Sequence, residues 1–441
     1  MEKIFRLKDH NTDVRTEIIA GLTTFMTMAY VLAVQPSAIV GFGDAAYIVD
    51  CNGVVISKSA ILIMCALISG LITLLMAFYA NMPFALSTGM GTNFLLGALI
   101  QSGDMSFGSA MVITLVSGII FVLLTVLGLR DLIVRMIPKN IKVAISASIG
   151  FFIAYLGFKN TGIGNFTDGI AMGDFTDPAV LLAIAGLLVI SILTAYQVKG
   201  AILIGIVVIT IAGIPLGITT LPEHFFAVPD AADLGNVFLN FDFSGLLAAN
   251  AAVWIFVAFF GDFFSTLGTV LGVAGKAKML DQDGNLPDIQ KPFLVDAVGT
   301  CVGAACGCTT ITTYVESSSG VEAGGRTGLT SLTAAVMFLA CMFIAPVAAV
   351  IPAAATSSAL IYVGILMLQG LKNVDFDDLD QVVPVFLMLL AMPISGSIGH
   401  GIGIAMITYT VIKVFSGRAK EVSVLTYVIS LLFIIKFFAV V

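Results

Sequence analysis

The sequence predicts an all-α polytopic membrane protein: fourteen transmembrane segments in two inverted halves of seven, each half interrupted by a short strand/half-helix segment. Three observations predict it. Of 441 residues, 59% are hydrophobic and only 11% charged, with a mean hydropathy of +1.08, whereas soluble domains carry about 25% charged residues. Apolar runs of about 20 residues, the length that crosses a bilayer, recur from end to end. The Lys and Arg between these runs segregate to alternate loops. So apolar a chain excludes a soluble enzyme, a nucleic-acid binder and a disordered protein. Its unbroken runs lack the alternation of a transmembrane β-barrel. The net charge of −7 is spread along the chain and names no partner.

Spans are read at 16–39, 58–80, 107–129, 138–158, 178–198, 200–218, 248–274, 328–350, 354–371, 380–396 and 399–416. Three further stretches, 83–101, 290–308 and 309–326, are rich in Gly, Ser and Thr and read as irregular; counted as one span each, they complete fourteen. Lys3, Arg6, Lys8 and Arg15 place the N-terminus in the cytoplasm. Arg130, Arg135, Lys139, Lys142, Lys199, Lys276, Lys278, Lys291, Arg326, Arg418 and Lys420 fall on the same side. The opposite loops hold Asp44, Asp50, Asp168, Asp174, Asp177, Glu223, Asp230, Asp233 and Asp242, with Lys58 and Lys159. Asp375, Asp377, Asp378 and Asp380 fall inside, although acids weigh little in this rule. The apolar segment 421–440 is surplus, and either lies in the interface or docks on the bundle. Met1–Arg15 is polar, and the first apolar run ends without a small-residue cleavage site, so no cleavable signal peptide is expected.

A repeat supports the two-half reading. Ile137-Pro138 opens a stretch that reaches Gly150-Phe151-Phe152 and ends at Gly157-Phe158-Lys159-Asn160. Ile351-Pro352 opens another that reaches Gly364-Ile365-Leu366 and ends at Gly370-Leu371-Lys372-Asn373. The topology runs the two copies in opposite directions, the pattern of an inverted-repeat secondary transporter.

Two irregular segments occupy the third place of each half. Pro83-Phe84-Ala85-Leu86-Ser87-Thr88 precedes Gly89-Met90-Gly91-Thr92-Asn93, and the β-branched run Thr309–Val315 precedes Glu316-Ser317-Ser318-Ser319-Gly320. Each reads as an extended stretch followed by a half-helix. Non-helical backbone at membrane depth survives only where it lines a cavity or is buried in protein, and paired interruptions point to a transporter's binding site. Two facing half-helix N-termini would offer free N–H groups to a polar ligand. A re-entrant loop without a ligand has the same pattern.

Few charges lie at depth. Asp262, among Phe259, Phe260, Phe263 and Phe264, and Glu316 are candidate functional carboxyls; Asp296 reads as a structural hydrogen-bonding group. Glu322 and Arg326 read as a local ion pair, His400 as an outer-surface residue and Lys413 as snorkelling to the inner surface. A buried carboxyl accepts N–H bonds when ionised and donates one when protonated, which suits it to couple proton uptake to a ligand with N–H and C=O groups. Phenylalanines such as Phe25 offer ring faces to a flat ligand and suit ordinary core contacts equally. The six cysteines read as buried small hydrophobes, since Cys306-Gly-Cys308 lacks zinc-site spacing. Gly275-Lys276 is no P-loop, so transport must run on an ion gradient or the substrate's own. Gly261-Asp262 is half of an intramembrane aspartyl protease motif, but no second Asp completes it, and no enzyme activity is expected.

Thr16–Tyr30, Pro83–Gly91, Thr312–Ser317 with Gly324–Gly328, and Asp262–Thr269 together resemble the nucleobase–cation symporter family 2 (nucleobase/ascorbate transporter superfamily), in its adenine/guanine/hypoxanthine permease branch. The resemblance covers nearly the whole chain. It implies a core domain at 14–129 and 246–350, a gate domain at 130–220 and 351–417, an extracellular loop at 219–245 and an extra C-terminal segment at 421–441. It implies elevator-like, proton-coupled uptake of a purine nucleobase across the plasma membrane, with no cofactor beyond the proton gradient and sodium less expected. On this likeness Glu316 and Asp262 bind substrate and couple the proton, and Asn93 is a polar site position. Tyr314 and Val315 offer backbone groups, and Phe25, Thr88, Gly89, Met90 and Ser317 complete the site. The branch has a second acid where Ser265 stands, and Leu-Asn-Ala where Thr92-Asn93-Phe94 stands; Ser265 and Asp296 are therefore modulators of the site. A homodimer is compatible with the family. The rival readings are a same-fold carrier for xanthine, uracil or a small anion, and an ion channel.

Overall fold

The computed structural model describes residues 2–41, 45–128, 139–166, 171–221, 231–248, 250–280, 286–344, 350–395 and 398–439. Asp44, Arg130, Arg135, Asp168, Glu223 and Asp230, and the repeat's start at Ile137-Pro138, lie outside these residues. Helices of six residues or more are numbered in chain order. The first half holds α1 (Val14–Met28), α2 (Val31–Val40), α3 (Lys58–Leu75), α4 (Met90–Gln101), α5 (Phe107–Val126), α6 (Lys139–Asn160), α7 (Pro178–Ala195) and α8 (Ala201–Gly213). The second holds α9 (Ala251–Lys276), α10 (Gln290–Ala305), α11 (Ser317–Glu322), α12 (Gly328–Cys341), α13 (Ala353–Met367), α14 (Leu379–Ser395), α15 (Ile398–Phe415) and α16 (Val424–Ala439). Among the described residues, five stretches are long and apolar enough to cross a membrane by themselves: Val14–Val40, Lys58–Ala80, Phe107–Val126, Pro178–Ala195 and Ala251–Lys276.

Strands β1 (Tyr47–Val49) and β2 (Val55–Ser57) form one loop hairpin, and β4 (Gly164–Asn165) and β5 (Ala171–Met172) another. The pair that matters lies inside the bundle. β3 (Leu86–Thr88) runs antiparallel to β6 (Ile311–Thr313), with Ser87 opposite Thr312. Both strands are fully buried, so every backbone polar group needs a partner. Gly89 N–H donates to Thr310 O (2.6 Å) and Tyr314 N–H to Ala85 O (3.1 Å), extending the ladder at both ends.

A threonine clamps the first residue of each strand. Thr73 Oγ1 accepts from Leu86 N–H (3.0 Å) and lies 3.2 Å from Leu86 O. Thr300 Oγ1 accepts from Ile311 N–H (3.1 Å) and lies 3.2 Å from Ile311 O. Both threonines sit on the helix preceding their strand, α3 and α10. Acids at matching places cap matching helices. Glu17, fully buried near the start of α1, accepts from the N–H groups of Arg326, Thr327 and Thr330 and from Thr330 Oγ1, fastening the start of α12. Asp242, before α9, accepts from Ser106 Oγ and Ser109 Oγ at the start of α5, and from Ser244. Those hydroxyls hold the Asp242 carboxyl well below the usual carboxylate range. A carboxyl depressed in the folded state stabilises above its unfolded value of about 4 and loses that contribution as pH falls through its folded value, so this clamp holds through neutral and mildly acidic pH.

Helix packing repeats in the same way: α1 lies on α12 as α9 lies on α5, α3 on α12 as α10 on α5, and α7 on α13 as α6 on α14. α6 and α13 pack on each other back to back. A Cβ on Gly364 would lie 2.4 Å from Gly150 O, and one on Gly150 would lie 2.8 Å from Gly364 O.

Several expectations change. The stretch 290–308 is not irregular: Gln290–Ala305 is an ordinary helix that stops where Gly307 takes φ +72°. The first span breaks at Ala29-Tyr30, where the N–H groups of Leu32 and Ala33 bond to Ala29 O and Tyr30 O in a tightened turn. Glu322 pairs with Lys276 (2.8 Å) rather than with Arg326, whose guanidinium bonds Val321 O and Gly325 O. Lys413 does not snorkel: it is 3% exposed and held by Glu421 at 2.7 Å and Asp380 at 3.8 Å. Asp380 also meets Arg418 at 2.6 Å, which gives part of the inner acidic run a basic partner. The surplus segment docks on the bundle, where Ser430 bonds Thr410 (2.7 Å) and Met406 O (3.0 Å) and Phe433 packs edge-on to Phe256. The cysteines are free thiols, all shielded except Cys51.

Two outcomes test this packing. Gly364→Ala should overpack the α6–α13 contact by about 1–3 kcal/mol and lower the apparent melting temperature of the detergent-solubilised protein, whereas Gly272→Ala, with open space around it, should not. Thr73→Val and Thr300→Val each orphan a buried backbone N–H, at about 1–3 kcal/mol. Size-exclusion profiles after a heat step should show less surviving protein for both; survival equal to the unaltered chain would mean that the clamps are incidental.

Candidate functional site

The broken first span, the strand pair and the two half-helices converge. The break in span 1 carries Tyr30, whose hydroxyl donates to Glu316 Oε1 at 2.8 Å. Glu316 lies in the turn between β6 and α11. Its neighbours Tyr314 and Ser317 are buried, while Glu316 is partly exposed and Val315 is 52% exposed. This turn therefore opens onto accessible space, and no described residue bonds Glu316 Oε2. Thr27 Oγ1 and Ser319 Oγ lie 2.8 Å apart and both bond Glu316 O, which fixes the turn.

The other end of the strand pair is the start of α4. Gly89 is its N-cap and supplies no side-chain cap. Among the described residues no protein acceptor meets the N–H groups of Met90, Gly91 and Thr92, so a helix start with its positive dipole end stands free. The matching expectation for α11 is corrected. There the N–H groups of Ser317, Ser318 and Ser319 fold back onto Tyr314 O, Val315 O and Glu316 O in a tight turn. Only one of the two half-helices offers free donors. Tyr314 bridges the ends: its hydroxyl reaches Thr88 O at 2.5 Å. Its own N–H is spent on Ala85 O, so its backbone offers only the carbonyl.

Other predicted residues serve the scaffold. Asn93 is fully buried; it donates to Thr88 Oγ1 and accepts from Thr309 Oγ1. Ser317 Oγ accepts from Ala85 N–H. Phe25 packs edge-on against Phe338 at 5.2 Å. Phe259 and Phe263 join Phe121 and Phe293 in one cluster and offer no free ring face. Ser265 is exposed on α9.

Asp262 and Asp296 sit behind this surface, 3% and 0% exposed. Asp262 Oδ2 accepts from Thr300 Oγ1 (2.8 Å). Asp296 Oδ2 accepts from Thr266 Oγ1 (2.7 Å), Thr313 N–H (2.9 Å) and Thr313 Oγ1 (3.0 Å), the hydrogen-bonding role expected of it. Tyr30, Thr266 and Thr300 were not singled out from the sequence. The signal for the threonines was present: Asp262-Phe-Phe-Ser-Thr266 and Asp296-Ala-Val-Gly-Thr300 share one spacing, an acid and a hydroxyl one helical turn apart.

Comparison with known proteins identifies the family. A family model described as "Permease family" (Xan_ur_permease) matches residues 15–406. Adenine permease AdeQ of Escherichia coli is 35% identical over 99% of this chain and 96% of its own length. Guanine/hypoxanthine permease PbuO of Bacillus subtilis is 35% identical over 99% of this chain and 100% of its own. Among solved structures, the transmembrane domain of a cyanobacterium bicarbonate transporter, BicA, superposes with a TM-score of 0.62 at 16% identity, covering 88% of this chain and 96% of that one; this likeness concerns the fold alone. With five membrane-length helices and a family match along most of its length, the chain is a multi-pass membrane protein of the nucleobase/ascorbate transporter family of permeases.

Proposed function

We propose that the protein is a secondary active carrier that takes up a purine nucleobase (adenine, guanine or hypoxanthine) with a proton, across a plasma membrane with its N-terminus cytoplasmic. The substrate class rests on the relatives, which are named for adenine and for guanine and hypoxanthine. The observation that carries the site is Glu316: one carboxylate oxygen held by Tyr30, the other unbonded, in a turn that opens from an otherwise buried strand pair. A purine has N–H donors on one edge and carbonyl or ring-nitrogen acceptors on another. Its donors suit Glu316, and its acceptors suit the free N–H groups of Met90, Gly91 and Thr92. Tyr314 links the two ends through its hydroxyl bond to Thr88 O.

Glu316 holds the base, and Glu316 and Asp262 carry the coupling proton, so the loaded protein crosses without an added buried charge. An anionic substrate would meet these carboxylates unfavourably, which favours a neutral base over a small anion.

The architecture that supports alternating access is a seven-plus-seven inverted repeat. An antiparallel pair of matched strands, the mutual Gly150–Gly364 contact and the paired clamps Thr73/Thr300 and Glu17/Asp242 all fit a two-fold axis in the membrane plane. Helices pack densely within the core (14–129 and 246–350) and within the gate (130–220 and 351–417), and sparsely between them. An elevator-like sliding of core past gate uses that sparse boundary.

Glu316→Gln should abolish uptake while membrane levels of the protein stay unchanged; normal uptake would remove Glu316 from the site. Radiolabelled adenine, guanine or hypoxanthine should accumulate in cells carrying the protein and should cease to accumulate when a protonophore collapses the gradient. Absence of uptake for all three would overturn the substrate assignment, and uptake indifferent to the protonophore would overturn the coupling.

A further inference from the structure

Two buried carboxyls share one unusual arrangement. Asp262 on α9 takes its hydrogen bond from Thr300 on α10, and Asp296 on α10 takes its own from Thr266 on α9. Each threonine lies one turn beyond the other acid on the same helix, so the two helices exchange acid–hydroxyl bonds crosswise. That exchange places the carboxyls diagonally across the α9–α10 contact, about one helical turn apart. Asp296 also reaches β6 directly through Thr313, while Asp262 reaches it through Thr300 and Ile311. Each acid keeps one oxygen, Oδ1, that is buried and unbonded. No described ion pair involves either acid. Two ionised carboxylates without a cation at membrane depth would each carry the full desolvation cost. One proton on either carboxyl removes one charge and supplies a donor; on Asp262 it sits on Oδ2, which faces Thr300.

The first half has no such acids. Ser69 stands one turn before Thr73, as Asp296 stands one turn before Thr300, and Ser69 bonds only Ser87 (2.7 Å) and Cys65. Thr73 therefore has a single acceptor for its proton, Leu86 O. Thr300 has two, the Asp262 carboxylate at 2.8 Å and Ile311 O at 3.2 Å. A hydroxyl carries one proton and must choose.

We propose that Asp262 and Asp296 are a proton-sharing pair, and that Thr300 transmits its state to the substrate-bearing strand. With Asp262 ionised, Thr300 donates to it and the Ile311 carbonyl goes unbonded. With Asp262 protonated, the acid donates to Thr300, which turns its own proton to Ile311 O and completes the clamp that Thr73 makes permanently. Asp296 is the positioning acid that raises the pair's demand for a proton. β6 runs on to Glu316, so proton occupancy and the backbone that carries the site become linked. This deepens the proton-coupled reading above and rests on it.

Other titratable groups on elements packed against the pair are engaged elsewhere. Glu316 is bonded to Tyr30, Glu322 to Lys276, and Lys413 to Glu421, while His400 packs on Phe437 and Tyr155 on Phe166. Cys65 on α3 and Cys301 on α10 are the nearest remaining thiols; α5 and β6 contribute no titratable group. Lys58 and Lys291 stand at helix ends, and Tyr79 points outward.

The test is the pH profile of purine uptake into proteoliposomes. Wild-type uptake should fall as external pH rises. In Asp296→Asn, Asp262 has no like charge with which to share its proton, so the half-maximal pH should move to lower pH by about one unit or more, with apparent affinity at acidic pH kept within about twofold. If that variant fails to reach the membrane, Thr266→Val serves: it strips a donor from the Asp296 carboxylate and should move the half-maximal pH upward. A merely structural Asp296 would lower the maximal rate and leave the pH profile in place, and an unmoved profile in whichever variant is made overturns the proposal. Wild-type uptake indifferent to pH overturns the proton-coupled reading, and this proposal with it; a pH-dependent wild type with an unmoved variant overturns this proposal alone.

Discussion

The antiparallel pairing of Leu86–Thr88 with Ile311–Thr313 is the constraint on which the rest of the molecule depends. Extended backbone at membrane depth has no water to satisfy it. The strands satisfy each other, and the residues at their outer edges are taken by Thr73 and Thr300. Once these groups are bonded, both half-helices must start where they do. The start of α4 keeps its first N–H groups free and Glu316 stands at the opposite end of the same pair. The site is therefore a by-product of solving a hydrogen-bonding problem in the middle of the bundle.

The two strand segments meet that need with matching threonine clamps, Thr73 and Thr300, and differ in the groups that follow and precede them. Counted from the opposed residues Ser87 and Thr312, Glu316 stands in the second half where Gly91 stands in the first. Asp296 stands where the first half has Ser69. The first segment thus contributes bare backbone, with Gly89 packed close against Thr310 and Gly91 against Ile149, and the second contributes carboxyls. On the proposed reading, such a pair presents N–H donors at one end of a flat ligand and a carboxyl acceptor at the other.

The helical membrane character and the two irregular segments were legible in the sequence because membrane burial imposes coarse signals: run length, and the Gly-Ser-Thr character of 83–101 and 309–326. Glu316, Asp262 and Asp296 were legible for the same reason, since an intramembrane acid is rare. The mutual pairing of the strands was not, because register lies in long-range contacts that a three-residue strand does not encode. Tyr30 was hidden inside an apolar span, and only the break at Ala29-Tyr30 brings its hydroxyl to Glu316. Stretch 290–308 misled because small residues that permit close packing, such as Gly299 and Gly303 against Ile311, look like irregularity when read alone. Glu322 was misread because Arg326, its neighbour in sequence, was favoured over Lys276, and Lys413 was read as snorkelling because only packing brings Glu421 and Asp380 to it.

On the proposed function, a neutral base and a proton move as one unit through a site held by Glu316. The most direct measurement is the current from proteoliposomes on a solid-supported membrane when adenine, guanine or hypoxanthine is applied with no other gradient present. Symport with a proton predicts a transient inward movement of positive charge with at least one of these bases and none with a non-transported control. Uptake of the base without any charge movement would contradict it.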